Sequence, residues 1–339
     1  SEIKERNRGA EATTTSAEAV SAVASLFGYK YPREALRRNW EDICFNHHHD
    51  TLPGSGIHAG YDRTVTVLDR VVADDKDIIT RALETLVIRV TPRSGGINVL
   101  VFNPTGWTRS GWIQTYDVRS GWDRTEVPDP DRCVAEAPDG KTYPVTLEDG
   151  PSRRVRFWAA DVPPFGYRVF RLVQGESKRP AISVRDDGAT VETDKLVVAF
   201  DKDHGCIRSL VLKATGKDLC GSGLGRMEAH FEGNHNMSAW TLGRIEKVTP
   251  LSPTSAKFSR GVDFAQAVFT YVLPAWNDLG GSSTITQTFR IPAEGDEVTC
   301  DVDCVWNGVG SPRSANALLR VAFGTKLDSP TATYHVPFG

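Results

Sequence analysis

The spacing of apolar positions changes period once along the chain, near residue 92. Before that point it is helical. Val20, Val23, Ala24 and Phe27 recur at three- and four-residue steps and stop at Gly28. A second pattern starts at Tyr31-Pro32, with proline in the first turn, where its missing N–H costs nothing. Leu36, Trp40, Ile43 and His47 then share one face, and Pro53-Gly54-Ser55-Gly56 ends the pattern. A third runs from Ile57 to Val90, marked by Leu68, Val72, Ile79, Leu83 and Leu86. Three helices with short connections predict a small bundle.

Beyond Thr91-Pro92-Arg93-Ser94-Gly95-Gly96 the period becomes two, as in strands. INVLVFNP (97–104), RVRFWAADV (154–162) and GYRVFRLV (166–173) read as strands, the last two separated by Pro163-Pro164-Phe165. KLVVAFDKDHGCIRSLVL (195–212) reads as a hairpin over Asp203-His204-Gly205. STITQTFRI, EVTCDVDCVW and ANALLRVAF continue the alternation. Many strands with no further helical stretch predict antiparallel sandwiches. The expected fold class is therefore α+β and multidomain: a three-helix bundle over 1–91, a small β-sandwich over 92–176 and a large one over 177–339. The polar stretch Gly175-Glu176-Ser177-Lys178-Arg179-Pro180 marks the second seam.

Charge narrows the function. Forty Lys and Arg against 43 Asp and Glu give a net charge of −3, with none of the basic excess of a nucleic-acid binder. No apolar run approaches the ~18 residues of a membrane span. Neither a nucleic-acid nor a membrane partner is expected. The N-terminal SEIKERNRGAEATTTSAEAV lacks the apolar core of a signal peptide. With no initiator methionine and an abrupt end at YHVPFG, the chain reads as cut at both ends. Six cysteines without C-x-x-C spacing suggest neither a zinc finger nor a disulfide scaffold. Cys300 and Cys304 lie on the apolar side of an alternating run and are expected to be buried.

The densest polar cluster is Asn46-His47-His48-His49-Asp50, holding three of the eight histidines. Histidine is the commonest metal ligand, and a neighbouring carboxylate can orient it or bind the ion itself. A solvated helix end, or histidines capping the last turn, explains the same residues without a ligand. Adjacent helical residues point about 100° apart, so one ion is not expected to take all three histidines. The run contributes one or two ligands, short of the three or four of a zinc site. Gly54, Gly56 and Gly60 superficially resemble a dinucleotide loop, but the spacing is wrong and a helix rather than a strand precedes them. Aromatic rings stack on sugar faces. Trp240, in the polar loop Asn236-Met237-Ser238-Ala239-Trp240, suits that role or core filling equally, whereas Trp107, Trp158 and Trp306 are expected in cores.

These segments together resemble glycoside hydrolase family 38, the α-mannosidases. Trp40 followed by His48-His49-Asp50-Thr51-Leu52-Pro53-Gly54-Ser55 resembles the family's bacterial His-Asp-Ile-Leu-Pro-Gly-Thr motif. VLVFNPTGWTR (99–109), VPPFGYRVFRL (162–172), the hairpin over 193–219 and the segment 317–339 resemble further stretches of the family in the same order. The resemblance spans essentially the whole chain. It implies that the large sandwich is galactose-mutarotase-like and truncated at its C-terminus, and that an N-terminal catalytic domain precedes the helices.

The resemblance also implies chemistry. His49, immediately before Asp50, would ligate one zinc ion completed by residues outside this chain. Asp50 and His48, with Trp240, would contact the sugar. The family's reaction retains configuration through two carboxylates ~5 Å apart, both from the N-terminal domain, so no catalytic residue is assigned here. The implied partner is an α-mannose-containing glycan. The implied compartment is the bacterial cytoplasm, with a secreted or lysosomal-like setting as the alternative. Two departures from the family stand out: His-His-His-Asp replaces the bacterial single His-Asp, and Met237-Ser238-Ala239-Trp240 lacks an acidic residue the family often carries. The second keeps open a non-catalytic carbohydrate-binding relative.

Overall fold

The computed structural model describes residues 2–52, 55–115, 132–148, 154–176, 181–185, 188–233, 235, 241–261, 263–310 and 316–331. The chain divides into two compact units, Ser1–Lys178 and Arg179–Gly339.

In the first unit, α1 (Glu2–Ser25), α2 (Arg33–Asn46) and α3 (His58–Val87) form the bundle. Helix α1 starts 18 residues before Val20, the first apolar marker of its sequence pattern. Its buried seam explains why: Ile3, Asn7, Ala10, Thr14, Ala17, Ser21 and Ala24 alternate at four- and three-residue steps. The period is helical, but past Ile3 the residues are small or polar, so they make no hydrophobic stripe. The helix stops where expected, at Gly28 with φ +99°, a conformation glycine adopts without strain. Across the seam, the fully buried Asp75 of α3 accepts hydrogen bonds from Thr13 Oγ1 (3.1 Å), Thr14 Oγ1 (2.6 Å) and Asn39 Nδ2 (2.9 Å). One carboxyl group thereby joins all three helices.

The small sandwich comprises β1 (Ile97–Asn103), β2 (Arg109–Gln114), β3 (Cys133–Glu136), β4 (Thr142–Glu148), β5 (Arg154–Val162) and β6 (Gly166–Gln174). They form one antiparallel path, β1-β6-β3-β4-β5-β2. The path doubles back on itself, and Phe157 of β5 meets Phe170 of β6 with ring centroids 5.2 Å apart. Leu100, Phe102 and Tyr167 pack against Val20, Ala24, Ala82 and Leu86, joining sandwich and helices in one unit. Asn103 is 3% exposed and anchors both loops at that end. Its amide donates to the carbonyls of Trp107, Val162 and Pro163, and its oxygen accepts from the Thr105 N–H and hydroxyl.

The second unit contains β7 (Ile182–Val184), β8 (Thr190–Thr193), β9 (Leu196–Asp201), β10 (Cys206–Leu212), β11 (Lys217–Asp218), β12 (Cys220–Glu232), β13 (Ile245–Pro250), β14 (Ser255–Arg260), β15 (Phe264–Leu273), β16 (Ser283–Pro292), β17 (Thr299–Val305) and β18 (Asn316–Thr325). One sheet runs β13-β12-β10-β9-β8-β7, with β18 on β12 and β11 on β10; the other runs β14-β15-β16-β17. Phe200 of the first meets Phe269 and Phe289 of the second, with centroids 6.1 and 5.5 Å apart. The hairpin over Asp203-His204-Gly205 forms, with Gly205 at φ +61°. A methyl group there would meet the Tyr271 hydroxyl at 2.0 Å, so the turn requires glycine twice over.

Three packing expectations are corrected. Trp107 and Trp306 are 65% and 39% exposed rather than buried. Cys304 is exposed and Cys300 only partly buried, because β17 pairs with β16 alone among the described strands. Trp158 is half-buried, paired across strands with Trp112.

Candidate functional site

The histidine run follows the last turn of α2. That end is fixed by Asn46, whose amide donates to the Asp42 carbonyl (2.7 Å) and whose oxygen accepts from the Thr64 hydroxyl of α3 (2.8 Å). Helical geometry stops there, so the three histidines separate. His47 turns back along the bundle and places Nε2 3.1 Å from Glu11 Oε1 on α1. His48 opens a tight turn, its carbonyl accepting the N–H groups of Thr51 (2.9 Å) and Leu52 (3.2 Å).

This turn brings together His48, His49 and Asp50, all with half or more of the side chain exposed. Their ligand atoms lie within 4.8 Å of one another, the one His/Cys/Asp/Glu cluster of its kind among the described residues. Asp50 Oδ2 is 3.9 Å from His48 Nδ1 and 3.7 Å from His49 Nε2, and the two rings lie 4.1 Å apart between centroids. Two imidazoles and a carboxylate are a donor set that suits zinc.

Two residues the sequence did not single out brace the turn. Ser55 Oγ donates to Asp50 Oδ1 (3.3 Å). The Tyr61 hydroxyl donates to the Asp50 carbonyl (3.4 Å) and accepts the Gly56 N–H (2.6 Å). A methyl group on Gly56 would sit 3.3 Å from both oxygens, so this glycine serves close approach rather than phosphate binding. Pro53 and Gly54 lie outside the described residues, as does Trp240. At the base of the Trp240 segment, the buried carboxyl of Glu232 accepts from the Gly243 N–H and contacts His235 Nε2. The Gly243 N–H and the His235 contact hold the Glu232 carboxyl below its usual range. Only the charged residues of β12, alternating at Arg226, Glu228 and His230, hinted at such a polar strand.

Two family descriptions match the chain. Residues 1–86 match the alpha mannosidase middle domain, and 191–339 match the C-terminal domain of glycosyl hydrolases family 38. The chain belongs to glycosyl hydrolase family 38. The His48–Asp50 turn of this family 38 chain therefore lies in the middle domain, and the matched C-terminal domain covers the strands from β8 onward.

Comparison with curated protein sequences gives no match. Among solved structures, an alpha-mannosidase from Enterococcus faecalis superposes with TM-score 0.65 at 14% identity, over 88% of this chain and 40% of its own. A family 38 glycosyl hydrolase from the same organism gives 0.66 at 14% identity, over 95% and 44%. These likenesses establish a shared fold. The family 38 chain spans less than half the length of either structure.

Proposed function

We propose that this chain forms the middle and C-terminal part of a zinc-dependent, retaining α-mannosidase. In this reading His49 is a metal ligand, Asp50 and His48 contact the sugar, and a further domain supplies the nucleophile and the acid/base. The observation that carries the reading is the convergence of His48, His49 and Asp50 on an exposed turn of the family's middle domain. Phe45 and Ile57, in the segments flanking that turn, are 74% and 78% exposed, which supports a covering domain there.

Bound zinc supplies a positive centre for vicinal sugar hydroxyls. The residues of this chain hold and orient. Asp50 accepts hydroxyl hydrogen bonds through the oxygen that faces the histidines, while Ser55 occupies the other. Tyr61 fixes the main chain at Asp50. The catalytic carboxylates of a retaining enzyme stand ~5 Å apart, and this reading assigns neither to the chain. The substrate class is a glycan ending in α-mannose. Among the described residues Cys44, Cys206, Cys220, Cys300 and Cys304 form no disulfide, which supports a reducing compartment, with bacterial cytoplasm as our assignment. Among the described residues no helix is long and apolar enough to cross a membrane.

The test is hydrolysis of an aryl α-mannoside by a parent protein carrying the further domain, compared with its His49→Ala variant. Activity lost in the variant and on chelation supports the reading. A folded, zinc-loaded parent that binds mannoside without turnover favours the second reading, a non-catalytic carbohydrate-binding relative. The missing acidic residue in Met237-Ser238-Ala239-Trp240 motivates that alternative.

A further inference from the structure

We infer that the groove between the C-terminal half of α1 and the Phe165 turn is a second carbohydrate-binding site of this chain, shaped for one pyranose ring. The inference rests on the reading above for the ligand class, but the site comes from the groove. Its volume is about 510 Å³, within the range of small-ligand pockets. Helix α1 and the turn after it contribute Ala22 and Leu26, the small sandwich contributes Pro104 and Phe165, and Glu18 and Tyr31 complete the polar part of the lining. The groove is set apart from the histidine turn: Glu11, which meets His47, and Val23, in the groove, are roughly 18 Å apart along the helix.

Phe165 carries the apolar half of the argument. Its φ is +43°, in the left-handed region where a bulky side chain is strained and glycine is not. The turn holds it there. The Phe165 N–H donates to the Thr105 carbonyl (2.9 Å), and the buried Asn103 ties the same two loops together. The ring lies against Gly106, where a methyl group would stand 3.3 Å from it, yet Phe165 stays 54% exposed. Strain is thus maintained at a residue that presents an aromatic face instead of burying one. The polar half is Glu18 and Tyr31. Neither the Glu18 carboxyl nor the Tyr31 hydroxyl has a hydrogen-bond partner among the described residues, although both side chains are half-buried. Burial raises the Tyr31 phenol above its ordinary range, so it keeps its proton and donates, while the carboxylate accepts. A purely apolar occupant would leave both groups unpaired, which is costly. A pyranose has a face of C–H groups for the ring and aliphatic lining, and a rim of hydroxyls for one acceptor and one donor.

Calorimetric titration and saturation-transfer NMR of the full 339-residue chain with an α-linked mannotriose test the inference. Glu18→Gln should weaken binding by about tenfold, and Phe165→Gly by about fivefold or more. Phe165→Tyr and His49→Ala should bind as the wild type does. Phe165→Gly also relieves the backbone, so its thermal midpoint should stay within a few degrees of the wild-type value. A large fall in midpoint with triose binding unchanged would make Phe165 a packing residue and overturn the inference. Binding lost in His49→Ala but kept in both groove variants would place the sugar at the histidine turn, which overturns the inference and supports the reading above. No binding by the folded chain overturns the inference alone, since turnover by the parent protein still tests that reading. A dimer of the chain that dissociates in Phe165→Gly would make the groove a contact between copies and overturn it as well.

Discussion

The Tyr61 hydroxyl reaches across from α3 and donates to the main-chain carbonyl of Asp50, 3.4 Å away. The same oxygen accepts the Gly56 N–H, so one side chain closes both ends of the loop that follows the histidines. Tyr61→Phe removes both bonds and keeps the ring. It should cost about 1 kcal/mol of stability in urea unfolding. It should also weaken mannoside binding by the parent protein by about tenfold, because the support of Asp50, the residue placed against the sugar, is lost. Unchanged affinity would show that the turn holds its shape without Tyr61.

How far this was legible in the sequence depends on whether a residue's role is local. His49 and Asp50 could be marked because their types sit side by side. Tyr61 could not, since its role appears only when α3 folds back beside the turn. Helix α1 was legible only at Val20, Val23 and Ala24, because past Ile3 its other seam positions are alanine, serine, threonine and asparagine. The β9–β10 hairpin was readable from Asp203-His204-Gly205, where backbone conformation dictates the residue. Trp306 was misread because alternation shows which side of a strand a residue takes, not whether a neighbour covers it.

Asp75 should prove to be the polar keystone of the bundle. Asp75→Ala leaves the buried Thr14 hydroxyl and Asn39 amide without their acceptor, at a cost of about 3 kcal/mol. Asp75→Asn should lose much less, about 1 kcal/mol or under. Asn39 Oδ1 is buried without a hydrogen-bond partner among the described residues, so a flipped Asn39 amide can accept from the new one. Urea denaturation followed by the helical signal separates these outcomes. Equal losses in the two variants would refute the flip.

Acid should weaken the β7–β8 edge of the large sandwich through Glu192. Its carboxylate accepts from Lys213 Nζ (2.7 Å) and Arg185 Nη2 (2.7 Å), and these two bonds lower its pKa from the ordinary 4.5 to about 2. A depressed folded-state value means that the ionised group stabilises the fold above pH 4.5, and that this contribution fades as pH falls towards 2. Glu192→Gln should therefore lower the unfolding midpoint at pH 7 and leave it near the wild-type value close to pH 2. A gap between the two proteins that stays constant with pH would rule out this linkage.

Asn103 offers the sharpest test of the loop architecture, because its two side-chain atoms do opposite work. The nitrogen faces three carbonyl oxygens, and the oxygen faces two donors of Thr105. Asn103→Ala removes both functions and should cost about 3 kcal/mol, since the buried partners lose their bonds without gaining water. Asn103→Asp keeps the shape and the Thr105 contacts but turns an acceptor towards the carbonyls of Trp107, Val162 and Pro163. At neutral pH it should be at least as damaging as alanine. The introduced carboxyl can donate to those carbonyls only when protonated, so its folded-state pKa is raised. The penalty should then be full at neutral pH and shrink as pH falls below the folded-state value, reaching its minimum below the unfolded value of about 3.9. Urea midpoints of the aspartate and alanine variants, measured from pH 7 to pH 3, should therefore converge or cross. Parallel midpoints across that range would mean that the amide donor bonds contribute nothing.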